Sequence, residues 1–140
     1  MGSKSTRYIW AGVALLLFYV SGIIVRWEIG AIIIIRNQSG QTLRNVAVKV
    51  ERVGNRYDVG EIAPGARARV FAKPRGESHI NFEFRDTQNQ RHVATVVGYV
   101  EEGEPYCAGG EATILPSGEV EAHDRTKLGL CWKGWFDFVV

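Results

Sequence analysis

Two hydrophobic rhythms divide the chain. From Tyr8 to Val25 the residues read YIWAGVALLLFYVSGIIV without a charge, about 18 residues that span roughly 27 Å as a helix, the thickness of a bilayer's hydrocarbon. From Ile32 onward apolar residues alternate with polar ones, β-branched residues are frequent, and Gly, Pro and Asn punctuate the chain, the pattern of half-buried strands joined by tight turns.

The alternation predicts strands at Ile32–Arg36, Thr42–Arg52, Tyr57–Ile62, Arg67–Lys73, His79–Arg85, His92–Glu101, Glu111–Leu115 and Glu119–His123. In the second, Val46, Val48 and Val50 share one face, with Lys49 and Glu51 on the other. In the fifth, Ile80, Phe82 and Phe84 point inward, and Asn81, Glu83 and Arg85 toward water. Turns are expected at Asn37–Gly40, Gly54–Asn55, Ala63–Gly65, Pro74–Gly76, Asp86–Gln90 and Pro116–Gly118.

Seven to eight short strands in about 95 residues predict an all-β domain, an antiparallel β-sandwich over residues 32–124 preceded by a single N-terminal transmembrane α-helix, with a barrel as the alternative. At this level the domain resembles the immunoglobulin-like and fibronectin-like sandwiches. It departs from true immunoglobulin domains: no Trp falls between Trp27 and Trp132, and the two cysteines do not sit on an early and a late core strand. The resemblance implies an architecture and no activity.

The edges of the apolar run are marked as an anchor's would be. Tyr8 and Trp10 stand at one end and Arg26 and Trp27 at the other, where aromatic and basic side chains meet headgroups. A cleaved leader would have a shorter apolar region followed by small residues, whereas Ile23, Ile24, Val25 and Arg26 follow here. The start MGSKST fits the short myristoylation pattern through Gly2 and Thr6, but an anchored chain has little need of that lipid, and the segment reads as an ordinary exposed N-terminus. Basic residues are balanced across the run, Lys4 and Arg7 against Arg26, Arg36 and Arg44. Charges in a long translocated domain count little, so residues 1–7 are expected in the cytoplasm and the β domain outside the membrane, as in a bacterial inner-membrane protein with a periplasmic domain. About six residues, Arg26–Ala31, separate span from first strand, which holds the domain at the membrane surface.

Residues 125–140 form a second greasy segment. Trp132, Trp135, Phe136 and Phe138 lie near the end of the chain, where residues are usually polar. An edge strand would account for them, and so would docking into a protein partner or the bilayer interface, surfaces that favour Trp and Phe.

Composition narrows the chemistry. The 140 residues carry 17 basic and 15 acidic side chains, net +2, interspersed along the chain, so no nucleic-acid face is expected; Arg67, Arg69, Lys73 and Arg75 read as a solvated strand face. No nucleotide-binding glycine motif, zinc-helix signature or nucleophile elbow is present. His79, His92 and His123 fall on different strands, and Ser78 and His79, as strand neighbours, point to opposite faces. Glu101, Glu102 and Glu104 read as a solvated loop. Neither catalysis, a metal, a cofactor nor a small-molecule substrate is therefore expected. Cys107 and Cys131 are a candidate disulfide in an exported domain, closing a loop of about 25 residues for about 3–4 kcal/mol; in the cytoplasm they would be separate thiols. The sequence reading is a non-catalytic accessory or structural subunit of a larger integral-membrane complex, with the bilayer and larger membrane subunits as partners. The alternative is an independent membrane-anchored binding module for a peptide, glycan or periplasmic factor, using the loop at Glu101–Gly110 with Tyr99 and Tyr106.

Overall fold

The structure is a computed structural model that describes the backbone of residues 4–52, 54–101 and 106–128, and the side chains of these stretches except at 4–6, 23–29, 106–107 and 127–128. Among the described residues one helix, α1 (Lys4–Ile29), precedes ten strands: β1 (Ala31–Asn37), β2 (Leu43–Val50), β3 (Asn55–Ile62), β4 (Arg67–Ala72), β5 (Ser78–Arg85), β6 (Arg91–Val100), β7 (Tyr106–Cys107), β8 (Gly109–Ile114), β9 (Val120–Asp124) and β10 (Lys127–Leu128). Eight of them form two four-stranded sheets, ordered β4-β1-β8-β9 and β3-β2-β5-β6, and β7 pairs with β10 in a two-stranded ribbon. The expected strands are all present, with ends shifted by a residue or two. The ribbon was not anticipated, since two residues are too few to show a period.

Alternation drives the layering. Ala31, Ile33, Ile35 and Asn37 of β1 are buried between the sheets, and Ile32, Ile34 and Arg36 are partly covered on the outside. Val46, Val48 and Val50 of β2, Ile80, Phe82 and Phe84 of β5, Val97 and Val100 of β6, and Ala112 and Ile114 of β8 complete the core. The sandwich is not wholly antiparallel as expected: β1 and β8 run parallel, Ile33 beside Gly110 and Ile35 beside Ala112. Side-chain period defines a strand's faces but not its neighbour or direction.

Close approach demands glycine at Gly30, Gly109 and Gly110. A Cβ on Gly110 would lie 2.4 Å from Val96 Cγ1 and 2.8 Å from Val96 O, where β8 of one sheet passes β6 of the other. Gly30, at φ 75°, would place a Cβ 2.6 Å from Ala72 O. It occupies the left-handed position that ends many helices, and the chain turns there directly from Ile29 into Ala31. The expected linker of about six residues is thus corrected to this one glycine, because the helix continues through Arg26, Trp27, Glu28 and Ile29.

The apolar run at 8–25 falls wholly within α1. Among the described residues no helix is long and apolar enough to cross a membrane; described side chains cover only 7–22 of the helix, short of the about 20 residues a span requires. Tyr8 and Trp10 are exposed on it. The side chains of Arg26 and Trp27, the side chain of Cys107, and all of Cys131, Trp132, Trp135, Phe136 and Phe138 lie outside the described residues.

At the end of the sandwich opposite Gly30, Asn37 closes the fold. It is fully buried, and Nδ2 donates to Gln41 O at 2.7 Å and Ile62 O at 2.8 Å while Oδ1 accepts from Ser39 N at 3.1 Å and Ser39 Oγ at 2.7 Å. Its backbone receives Gly65 N and donates to Ala66 O, so one residue ties β1, the turn after it and the β3–β4 connection between the sheets. Asn37→Asp should destabilise the domain by about 2–4 kcal/mol, because a carboxylate would face two carbonyls with no proton to give. Thermal denaturation followed by circular dichroism tests this, and Asn37→Asp should melt below Asn37→Ala.

Candidate functional site

A glutamate on the outer face of an inner strand is ordinarily solvated, but in each sheet one is covered. Glu83 on β5 is only 6% exposed, against the expectation that it faces water. Its neighbours explain the difference: Arg56 of β3 pairs with Oε1, and Arg91 of β6 donates from Nε to Oε2 at 3.2 Å. Ala47 of β2 and Val93 of β6 flank it in register, and Ala47 is small enough for Arg56 to reach across β2. Glu111 on β8 is likewise 6% exposed, with Arg36 of β1 on Oε1 and Arg125, just after β9, on Oε2. The Arg125 contact is an ion pair without an aligned hydrogen bond. Alternation assigned Glu83 to an outer face; it could not show that neighbouring strands would cover it.

A groove of about 660 Å³ opens over the Glu83 triad. It is lined by Lys49, Arg56, Arg85 and Arg91 with Asp58 and Glu83, and its floor includes Val46 and Phe84. A bulge in β2 makes the hollow. Pairing with β3 slips on both sides of Val46, Asn45 adopts φ 49°, and Gly60 opposite adopts φ 88°. A Cβ on Gly60 would meet nothing within 4 Å, so the groove is open above it. Asp58 accepts from Arg56 Nε at 2.7 Å, which engages both carboxylates with arginine and leaves positive charge in excess. Lys49 pairs with Glu51 at 3.2 Å; that ammonium is the main reason the Glu51 carboxyl sits below its usual pKa, with a hydrogen bond from Asn81 adding to it.

The histidines are dispersed as expected. His92 has a structural place at the end of the sandwich farthest from Gly30: it stacks on Phe84, ring centroids 4.8 Å apart, and its Nε2 lies 2.8 Å from Asp86 Oδ2. Asp86 Oδ1 also accepts from Gln88 N and Gln90 N, both at 2.9 Å, so the pair fastens the β5–β6 turn. The His92 bond, then the turn amides, hold the Asp86 carboxyl below its ordinary pKa. A smaller cleft of about 260 Å³ adjoins it, lined by Thr87, Ser39 and Ser117 hydroxyls, but none of these bonds to His92. Among the described residues no group of His, Cys, Asp and Glu is arranged to hold a metal. Tyr99 OH donates to Glu101 at 3.0 Å; Glu102 and Glu104 of the predicted loop, and the side chain of Tyr106, lie outside the described residues.

Glu83→Gln should destabilise by about 1–3 kcal/mol, since two guanidiniums then lose their shared anion, whereas Arg91→Gln should cost less because Arg56 remains; denaturation midpoints of the two variants test the order. A depressed carboxyl stabilises above its unfolded pKa, and the contribution is lost as pH falls through the folded value. Asp86 should therefore titrate below ordinary aspartates in an NMR titration, and His92→Phe, which keeps the stack on Phe84, should move it upward.

No protein-family model and no curated protein matches the chain. Among solved structures, the NMR structure of a protein from Eubacterium rectale is similar at a TM-score of 0.46 and 10% identity, over 74% of this chain and 91% of that one; a likeness this loose supports no functional conclusion.

Proposed function

We propose that this chain is a non-catalytic, single-span accessory subunit of a larger integral-membrane complex, anchored by α1, with its sandwich outside the cytoplasm. The observation that carries the reading is the state of the helix. Tyr8, Ile9, Trp10, Leu15, Leu16, Leu17 and Phe18 are all exposed, from 62% at Leu16 to 76% at Tyr8. Leaving a large apolar side chain in water forgoes about 1.5–3 kcal/mol each, and these residues occupy every side of the helix, which supports an apolar surrounding. In the sequence the run continues through Ile23, Ile24 and Val25, within the backbone helix that extends to Ile29.

The short junction at Gly30 supports work on a neighbour in the same membrane, since a domain held this close has little reach. The aromatic segment at 132–140 supplies a second surface for such a neighbour. The competing reading, an independent binding module, is favoured by the groove over Glu83 more than by the loop at Glu101–Gly110.

Purified from native membranes in mild detergent, the protein should emerge with larger membrane subunits; recovery as a lone monomer would overturn the subunit reading. Deleting residues 132–140 should release it from the complex while the sandwich stays folded, since burial of three or four aromatics contributes several kcal/mol at an interface. Loss of the sandwich's circular dichroism in that variant would make the tail part of the fold instead.

A further inference from the structure

We infer that the connection from β4 to β5, residues 73–77, seats the sandwich on anionic lipid headgroups of the bilayer that α1 enters. The inference rests on the single-span reading and adds the lipid chemistry that the base of the domain recognises. Its first support is height. Gly30 stands five residues beyond Val25, the last residue of the apolar run, and the backbone is helical as far as Ile29. At 1.5 Å per residue that is about 7.5 Å, and the headgroup layer on each side of the hydrocarbon is about 5–7.5 Å deep. A Cβ on Gly30 would lie 3.0 Å from Lys73 Cα, so the connection begins at the outer rim of the headgroups.

The second support is how the connection is built. It passes from the sheet of β4 to the sheet of β5, across the end of the sandwich that carries Gly30. Ala72, Pro74 and Ser78 are buried, while Lys73, Arg75, Gly76 and Glu77 are exposed. Lys73 N donates to Tyr57 OH at 2.8 Å, and Ser78 Oγ donates to Arg75 O at 3.3 Å, so the backbone is held before any lipid arrives. Glu77, the acid of this connection, is engaged by Arg52 at 3.2 Å. Lys73 and Arg75 therefore present an ammonium and a guanidinium, the groups that attract phosphate, where a bilayer carries its phosphates.

The attraction is local. Glu101 stands at the same end, after the Val100–Ser78 pair, but β6 packs with β9 at the edge of the sandwich opposite β3 and β4. Headgroups are favoured over an acidic protein neighbour because the helix itself fixes the height of Lys73, whereas a neighbour's acids would need an approach of their own.

The test is NMR of the full chain in small bicelles of phosphatidylcholine with increasing phosphatidylglycerol. The amides of Lys73, Arg75 and Gly76 should shift as phosphatidylglycerol is added. Lys73→Gln and Arg75→Gln should each raise the phosphatidylglycerol fraction at half shift about fivefold. Each variant is read separately, so if one misfolds the other decides. Arg67→Gln should behave as the parent, since Arg67 lies six residues up β4, about 20 Å away and beyond the reach of the surface charge at physiological salt. A spin label on the headgroup of neutral bicelles should broaden the amides of Lys73 and Arg75 more than those of Arg67 and Asn89.

Equal broadening at the two ends overturns the height. Stronger broadening at Lys73 without a response to phosphatidylglycerol overturns the recognition of anionic lipid and leaves α1 as an anchor. The same shifts on adding inorganic phosphate to neutral bicelles overturn it in favour of a free anion. A chain that does not enter bicelles at all overturns the single-span reading and the inference together, and copurification with larger subunits is read independently of every arm.

Discussion

The two sheets meet through a buried amide. A sandwich must pass its chain from one layer to the other, and every crossing carries backbone groups away from water that still require partners. At the crossing from β3 to β4, Asn37 meets that requirement. Its carboxamide reaches carbonyls on two segments and its backbone serves a third. The apolar core supplies most of the driving force for collapse, but burial is indifferent to register. The directional bonds of Asn37 select the register of β1, and through β1 the positions of β4 and β8 on either side.

The outer faces follow a second rule. Each inner strand that carries a glutamate outward, β5 and β8, lies between strands that bring arginines to it. Burying one carboxylate between two partly exposed guanidiniums avoids an isolated charge in a low-dielectric place; at Glu111 this leaves two arginines to one acid, whereas at Glu83 the second acid, Asp58, balances the pair. Local arrangement therefore says more about the charge of these faces than the net charge of +2.

Much of this was legible in the residues. Val46, Val48 and Val50, or Ile80, Phe82 and Phe84, announce strand and facing together, because a period of two determines both. Pairing partners are another matter: nothing local in Ile32–Ile35 reveals that Gly109–Ala112 runs beside it in parallel. Asn37 reads as a turn residue, and its burial depends on segments 25 and more residues away, such as Ile62 and Ala66. The groove was invisible for a related reason, since it needs the bulge at Val46, the bare backbone of Gly60 and three separated arginines at once. His92 read as a strand-end residue, and the structure adds what it does there, fastening a turn through Asp86.

The single residue between helix and sheet has a mechanical meaning. A flexible linker would let the domain sample many headings over its support, whereas Gly30 is wedged against Ala72 O and leaves no room for a side chain. With one residue between them, the heading of β1 relative to α1 is set by the two backbone torsions of Gly30. A side chain there would have to displace the backbone of Ala72 or change those torsions, so the bend from helix into sheet is reserved for glycine.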